Sequence, residues 1–159
     1  MHPIPPKLFS FADACSVAQK LRNGGRRIVL TNGCFDIVHA GHVFALESAK
    51  KFGDSLWVAM NSDSSVRALK GNTRPIFGER ARAYVLSALE AVDGIFIFDG
   101  KRLTDEILRF RPDVYVKSGD YSIDTLDTTE LRALRTAAVQ IQFVPFVSGF
   151  STTAIVEKL

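Results

Sequence analysis

The hydrophobic pattern of the chain changes period repeatedly along its 159 residues. From Phe11 to Leu21, apolar side chains recur at helical spacing (Phe11, Ala14, Val17, Ala18, Leu21), and Asn23-Gly24-Gly25 ends that run. Residues 27–31 are short, apolar and β-branched, the pattern of a buried strand. Helical spacing returns over 42–52 and stops at Gly53. Strand-like runs follow at 55–60, 94–98, 114–116 and 141–144, the last ended by Pro145. Helices are predicted over 64–69, 79–89, 103–110, 129–138 and 151–159, with Ser151 as the N-cap of the last; Gly71 and Pro75 mark a loop. Residues 1–10 hold three prolines and predict an extended arm ahead of a single domain at 11–159. Strands apolar on both faces, alternating with helices, imply a five-stranded parallel sheet covered by helices on both sides, a doubly wound α/β fold. Such sheets bind ligands beyond the carboxyl ends of their strands, so the informative loops are those just after each strand.

Composition narrows the class. Hydrophobic residues make up 47% and charged residues 23%, the balance of an ordinary globular domain. No apolar run approaches the roughly 20 residues of a membrane-spanning helix, and the start MHPIPPKLFS lacks the features of a secretion signal, so a cytoplasmic location is expected with no membrane partner. Cys15 and Cys34, far apart, read as reduced thiols. The net charge of +3 is spread along the chain rather than gathered in a basic stripe, which argues against nucleic acid and leaves room for a small anionic ligand.

The first strand leads into Thr31-Asn32-Gly33-Cys34-Phe35-Asp36-Ile37-Val38-His39-Ala40-Gly41-His42. His39 and His42 are spaced i, i+3, so at a helix start both rings project to one side, toward unpaired backbone N–H groups. Gly33 allows close approach of a ligand and Gly41 leaves room beside the rings. Together these groups form a cradle for phosphate oxygens. Three other readings compete: histidines that satisfy local hydrogen bonds, a metal site of Asp36, His39 and His42, and a dinucleotide-binding redox domain. The third lacks its Gly-x-Gly-x-x-Gly loop, and the second lacks the i, i+4 histidine signature.

His39-Ala40-Gly41-His42, preceded by Gly33-Cys34-Phe35-Asp36, resembles the HxGH signature of the Rossmann-like nucleotidyltransferase superfamily that includes the cytidylyltransferases. Gly149-Phe150-Ser151-Thr152-Thr153 resembles its second signature, near the carboxyl terminus. Asn61-Ser62-Asp63, Leu69-Lys70-Gly71 with Arg74-Pro75-Ile76, and Val116-Lys117-Ser118-Gly119-Asp120-Tyr121 are similar to the adenylyltransferases acting on D-glycero-D-manno-heptose 1-phosphate, over about residues 11–159. That family is often fused to a sugar kinase, and a chain of this length resembles the stand-alone form. Ser118 departs from the family's usual second glycine.

The resemblance implies transfer of AMP from ATP, with Mg2+, to a sugar 1-phosphate, in the synthesis of bacterial surface polysaccharide. His39, His42 and Lys70 are its implied catalytic residues. The nucleotide falls to Thr31, Asn32, Gly33, Cys34, Phe35, Gly41, Arg82, Asp120, Gly149, Ser151, Thr152 and Thr153. The sugar phosphate falls to Asn61, Asp63, Lys117 and Tyr121. No protein metal ligand is implied, and Asp36 is expected to orient a histidine or the loop. Several residues have structural readings as well: Arg82 paired with Glu79, Asp120 as turn chemistry, Ser151 as a cap and Lys70 as a solvated lysine. Phe146 and Phe150 are candidates to border the base or sugar. A homo-oligomer is also implied. The alternatives are a glycerol-3-phosphate cytidylyltransferase, whose motifs differ at Phe146-Val147-Ser148 and Lys117 to Tyr121, and a non-catalytic ATP-binding module.

Overall fold

A computed structural model describes residues 4–145 and 147–158. Its strands are β1 (Ile28–Gly33), β2 (Ser55–Asn61), β3 (Gly94–Phe98), β4 (Val114–Ser118) and β5 (Gln140–Val144). All pair in parallel, in the order β3-β2-β1-β4-β5. The helices are α1 (Phe11–Asn23), α2 (Ala40–Lys50), α3 (Asp63–Lys70), α4 (Glu79–Ser87), α5 (Asp105–Phe110), α6 (Thr128–Thr136) and α7 (Thr152–Val156). The expected doubly wound, Rossmann-like fold is therefore present. The chain builds β1, β2 and β3 outward to one side, then returns to lay β4 and β5 on the other. The order reverses between β1 and β4, which opens a crevice at their carboxyl ends.

Period-two alternation sends side chains to two cores. Ile28, Leu30, Trp57, Ala59, Phe96 and Tyr115 face α1, α5 and α6. Val29, Leu56, Val58, Met60, Ile95, Val114 and Val116 face α2 and α4. Every residue of β2 is buried, which explains why that strand reads as a continuous apolar run.

Several boundaries near the crevice depart from those expected. β1 runs to Gly33 because Asn32 and Gly33 pair with Ala59 and Met60. α2 begins at Ala40, two residues early, and leaves His39 as its N-cap in extended backbone. α7 is shorter than expected, and a 3-10 turn at Ile123–Thr125 was not legible in the pattern. Ahead of α1, residues 7–9 run along the edge of β3: Phe9 N–H donates to Ile95 O at 2.9 Å, and Ile95 N–H donates to Lys7 O at 2.8 Å. The Lys7 ammonium donates to the carbonyls of Leu89 and Val92, and Phe9 packs on Trp57. Among the described residues no helix is long and apolar enough to cross a membrane.

Candidate active site

The crevice holds a cleft of two adjoining lobes, about 420 and 450 Å³, that share His42, Ala45, Lys70 and Ser118 as a common wall. The first lobe is bounded by Thr31 to Phe35 from the end of β1, Asn61 from β2, Lys101 and Arg102 from the loop after β3, and Lys117 and Tyr121 at the end of β4. The second is bounded by His39, Gly41 and the segment Gly149 to Thr153, with Pro145 and Val147 as its apolar side. Neither lining contains a carboxylate among the described residues.

His39 and His42 stand side by side, ring centroids 4.0 Å apart. The backbone N–H of His39 donates to His42 Nδ1 at 3.4 Å, which leaves the His42 proton on Nε2. Burial, then the neighbouring His39 and Lys70, lower its pKa to about 4, so His42 is a neutral donor at physiological pH. Burial also lowers the His39 pKa. His39 Nδ1 is buried without a hydrogen-bond partner among the described residues, against Gly41 at the positive amino end of α2. A lone pair suits that position, which again leaves the proton on Nε2. Gly41 leaves the room that this packing uses: a Cβ there would lie 3.0 Å from His39 Cε1 and 3.0 Å from Phe150 Cβ. Phe150 stacks beyond His39 at 6.0 Å. Phe146 lies outside the described residues.

Gly33 plays a different part from the one expected of it. The ring of Phe35, held at a left-handed φ of 48°, folds back over it, and a Cβ at 33 would sit 2.9 Å from Phe35 Cε2. The space that glycine leaves is filled by protein.

Asp36 is buried and accepts hydrogen bonds from the Arg74 guanidinium, Ile76 N–H and Phe77 N–H. Burial pushes its pKa up, but these donors outweigh it and hold the carboxyl below its usual range. Its work is to pin the 74–77 loop to the histidine loop, and it lines neither lobe.

Arg82 does not make the expected pair with Glu79. It is 1% exposed and lines neither lobe. Its guanidinium donates to the carbonyls of Phe77 and Cys34 and to Asp63 Oδ1 at 2.8 Å. Glu79 instead accepts from the Asp63 N–H. Asp63 is thereby committed to Arg82 and is likewise absent from the lining, contrary to its expected place at the sugar phosphate. Asp120 is exposed and lines neither lobe. The departure at Ser118 is harmless to the backbone, because the left-handed φ of 121° belongs to Gly119.

The remaining expected residues come together. Asn61 is buried at the lobe wall and donates to Ser65 Oγ. Lys70, the last residue of α3, is exposed over both lobes. Ser151 caps α7 by accepting from Ala154 N–H, and Thr152 Oγ1 donates to Ile37 O, which ties that segment to the histidine loop. Lys117 donates to Asn32 Oδ1 at 3.2 Å. Sequence reasoning missed Lys101 and Arg102, because only the strand order brings the loop after β3 to this cleft.

Residues 30–158 match the profile of the family described as cytidylyltransferase-like. The chain belongs to the cytidylyltransferase-like family. As a member it is a nucleotidyltransferase. It is 46% identical over 152 residues to the bifunctional protein HldE of Koribacter versatilis, covering 96% of this chain and 31% of that protein. It is 46% identical over 143 residues to the bifunctional protein HldE of Wolinella succinogenes, covering 90% of this chain and 29% of that protein. The chain thus spans under a third of the length of these relatives. A solved structure of a lipopolysaccharide core biosynthesis protein from Thermoplasma volcanium superposes with a TM-score of 0.64 at 29% identity, covering 77% of this chain and 98% of that one.

Proposed function

We propose that the protein transfers AMP from ATP to D-glycero-D-manno-heptose 1-phosphate and releases pyrophosphate, for lipopolysaccharide or surface polysaccharide synthesis. The observation that carries this reading is the neutral imidazole pair at the switch point, His42 in the wall between the two lobes and His39 beside it in the second. The lobes suit two substrates. The apolar side at Pro145, Val147 and Phe150 favours the nucleotide, and the amides and cations around Asn32, Asn61 and Lys117 favour a hydroxyl-rich anion, which moves Asn32 from the nucleotide, where the resemblance put it, to the acceptor. The likeness to the HldE proteins and to the Thermoplasma protein supports the same choice.

The attacking group is a phosphate oxygen already ionised at neutral pH, so the reaction calls for no general base. Its barrier is the meeting of two anions and the charge that gathers on the α-phosphate and the leaving pyrophosphate. The two imidazole Nε2–H groups and the Lys70 ammonium are preorganised donors for that charge. Neutral histidines donate without a competing protonation equilibrium at pH 7. The lining offers no carboxylate, so its residues do not fit a protein-held Mg2+; the ion enters with the substrate as MgATP, whose phosphate oxygens and waters hold it. A homo-oligomer in the cytoplasm belongs to the same proposal, and light scattering tests the assembly.

The decisive experiment crosses four NTPs with heptose 1-phosphate, glycerol 3-phosphate and hexose 1-phosphates and scores pyrophosphate. Turnover is expected with ATP and heptose 1-phosphate. Preference for CTP and glycerol 3-phosphate would move the reading to that cytidylyltransferase, and nucleotide binding without any turnover would leave only a binding module.

A further inference from the structure

Behind the first lobe lies a buried polar cluster that the mechanism above does not use. Glu130, from α6, is 2% exposed and sits against Tyr115, which is fully buried. The Tyr115 hydroxyl donates to the Glu130 carboxylate and stands 2.9 Å from Asn32 Oδ1. Burial and then the Glu130 charge push the Tyr115 pKa well above the usual phenol value, so it stays a donor. Glu130 Oε1 also lies 3.6 Å from the Lys117 ammonium, which in turn reaches Asn32. Lys117 and Asn32 line the cleft; Glu130 and Tyr115 do not.

The cluster reaches further. α6 is capped by Asp127, which accepts from the N–H groups of Thr129 and Glu130. Asp127 also pairs at 3.1 Å with Arg102, another wall residue of the same lobe. One helix end therefore ties together cleft groups from the ends of β1 and β4 and the loop after β3. A carboxylate taken out of water is costly, and an apolar side chain would fill the same space more favourably. What an apolar side chain would lose is the charge facing Lys117.

We propose that Glu130 is a positioning residue that holds Lys117, and through the Lys117 hydrogen bond also Asn32, in the orientation that receives the anionic acceptor. This rests on the assignment of the first lobe to the sugar phosphate. Neither Glu130 nor Tyr115 touches the substrate. Their effect passes through Lys117 and Asn32.

The test uses Glu130→Gln, which keeps the side-chain size and an acceptor for Tyr115 but removes the charge. The KM for the sugar 1-phosphate is expected to rise about ten- to hundredfold, the scale of a misplaced binding group, while the KM for ATP stays within about twofold. In a Lys117→Met background, Glu130→Gln is expected to add nothing further. Equal rises in both KM values, or effects that multiply in the double variant, would overturn the proposal as mere structural damage. Glu130→Met, which fills the same space without a charge, repeats the test should Glu130→Gln fold poorly. A second readout needs no substrate: acetylation of Lys117 by an amine-reactive ester, followed by mass spectrometry of the intact fold. Faster labelling in Glu130→Gln supports the brace, and unchanged labelling refutes it. Faster labelling with an unchanged acceptor KM refutes the role of Lys117 at the acceptor. Absence of turnover in the unsubstituted protein would instead refute the proposed reaction, with labelling still deciding the brace.

Discussion

Replacing Gly41 by Ala separates the stability of this protein from its chemistry. Gly41 is the second residue of α2, and its backbone is not left-handed, so Ala fits the helix and is favoured there by up to about 1 kcal/mol. The new methyl would meet His39 Cε1 and Phe150 Cβ at 3.0 Å and His39 Nδ1 at 3.1 Å. Contacts this tight oblige the His39 ring or Phe150 to retreat by a few tenths of an ångström. Crowding of this kind costs about 1–3 kcal/mol when the surroundings are rigid. Here His39 Nδ1 has no hydrogen bond among the described residues to resist the shift, so the ring moves and the cost is small. Stability should therefore change by no more than about 2 kcal/mol. A catalytic donor displaced by about 1 Å loses on the order of a hundredfold in rate, so the smaller shift here should cost about tenfold, or about 1.4 kcal/mol of transition-state stabilisation. Chemical denaturation and pyrophosphate release on the same preparation measure the two quantities. A Gly41→Ala protein that folds normally and keeps kcat/KM within about threefold would refute the claim that this glycine exists to seat His39.

Other consequences follow from the same geometry. His42→Gln should lower kcat by about 10²–10³ with little change in KM for ATP, measured by pyrophosphate release at saturating substrates. His42 also has a folded pKa near 4, below that of the unfolded chain, so the unfolded chain takes up its proton first. Its contribution to stability is whole above about pH 6.5 and is lost as the pH falls toward 4, so wild type should lose more denaturant resistance between pH 7.5 and 4.5 than His42→Gln does. Equal losses would contradict a buried neutral imidazole. Asp36→Asn removes the charge opposite the nearly buried Arg74 and should destabilise the fold by about 3 kcal/mol in urea unfolding.

Much of this was readable before any coordinates. Strand positions followed from short apolar runs, because period-two burial is a local property that neighbouring residues fix together. The histidine pair was legible as a pair beside a helix start, but the rings meet through the extended N-cap backbone of His39 and not through helical spacing. The boundaries near the crevice were less legible. His39 is the N-cap and not a helical residue, and β1 runs on to Gly33, because hydrogen bonds to β2 extend the strand past its apolar stretch.

What the sequence by itself determined is the set of elements and the loop that carries the imidazoles, since both depend on contacts between residues a few positions apart. Which loops share the cleft was decided only by the strand order β3-β2-β1-β4-β5, which depends on contacts across the whole chain. That order brings Lys101 and Arg102 to the first lobe and sets Glu130 behind Lys117. It also turns Arg82 inward to Asp63 and Cys34, where a buried guanidinium finds acceptors that a list of its sequence neighbours does not contain.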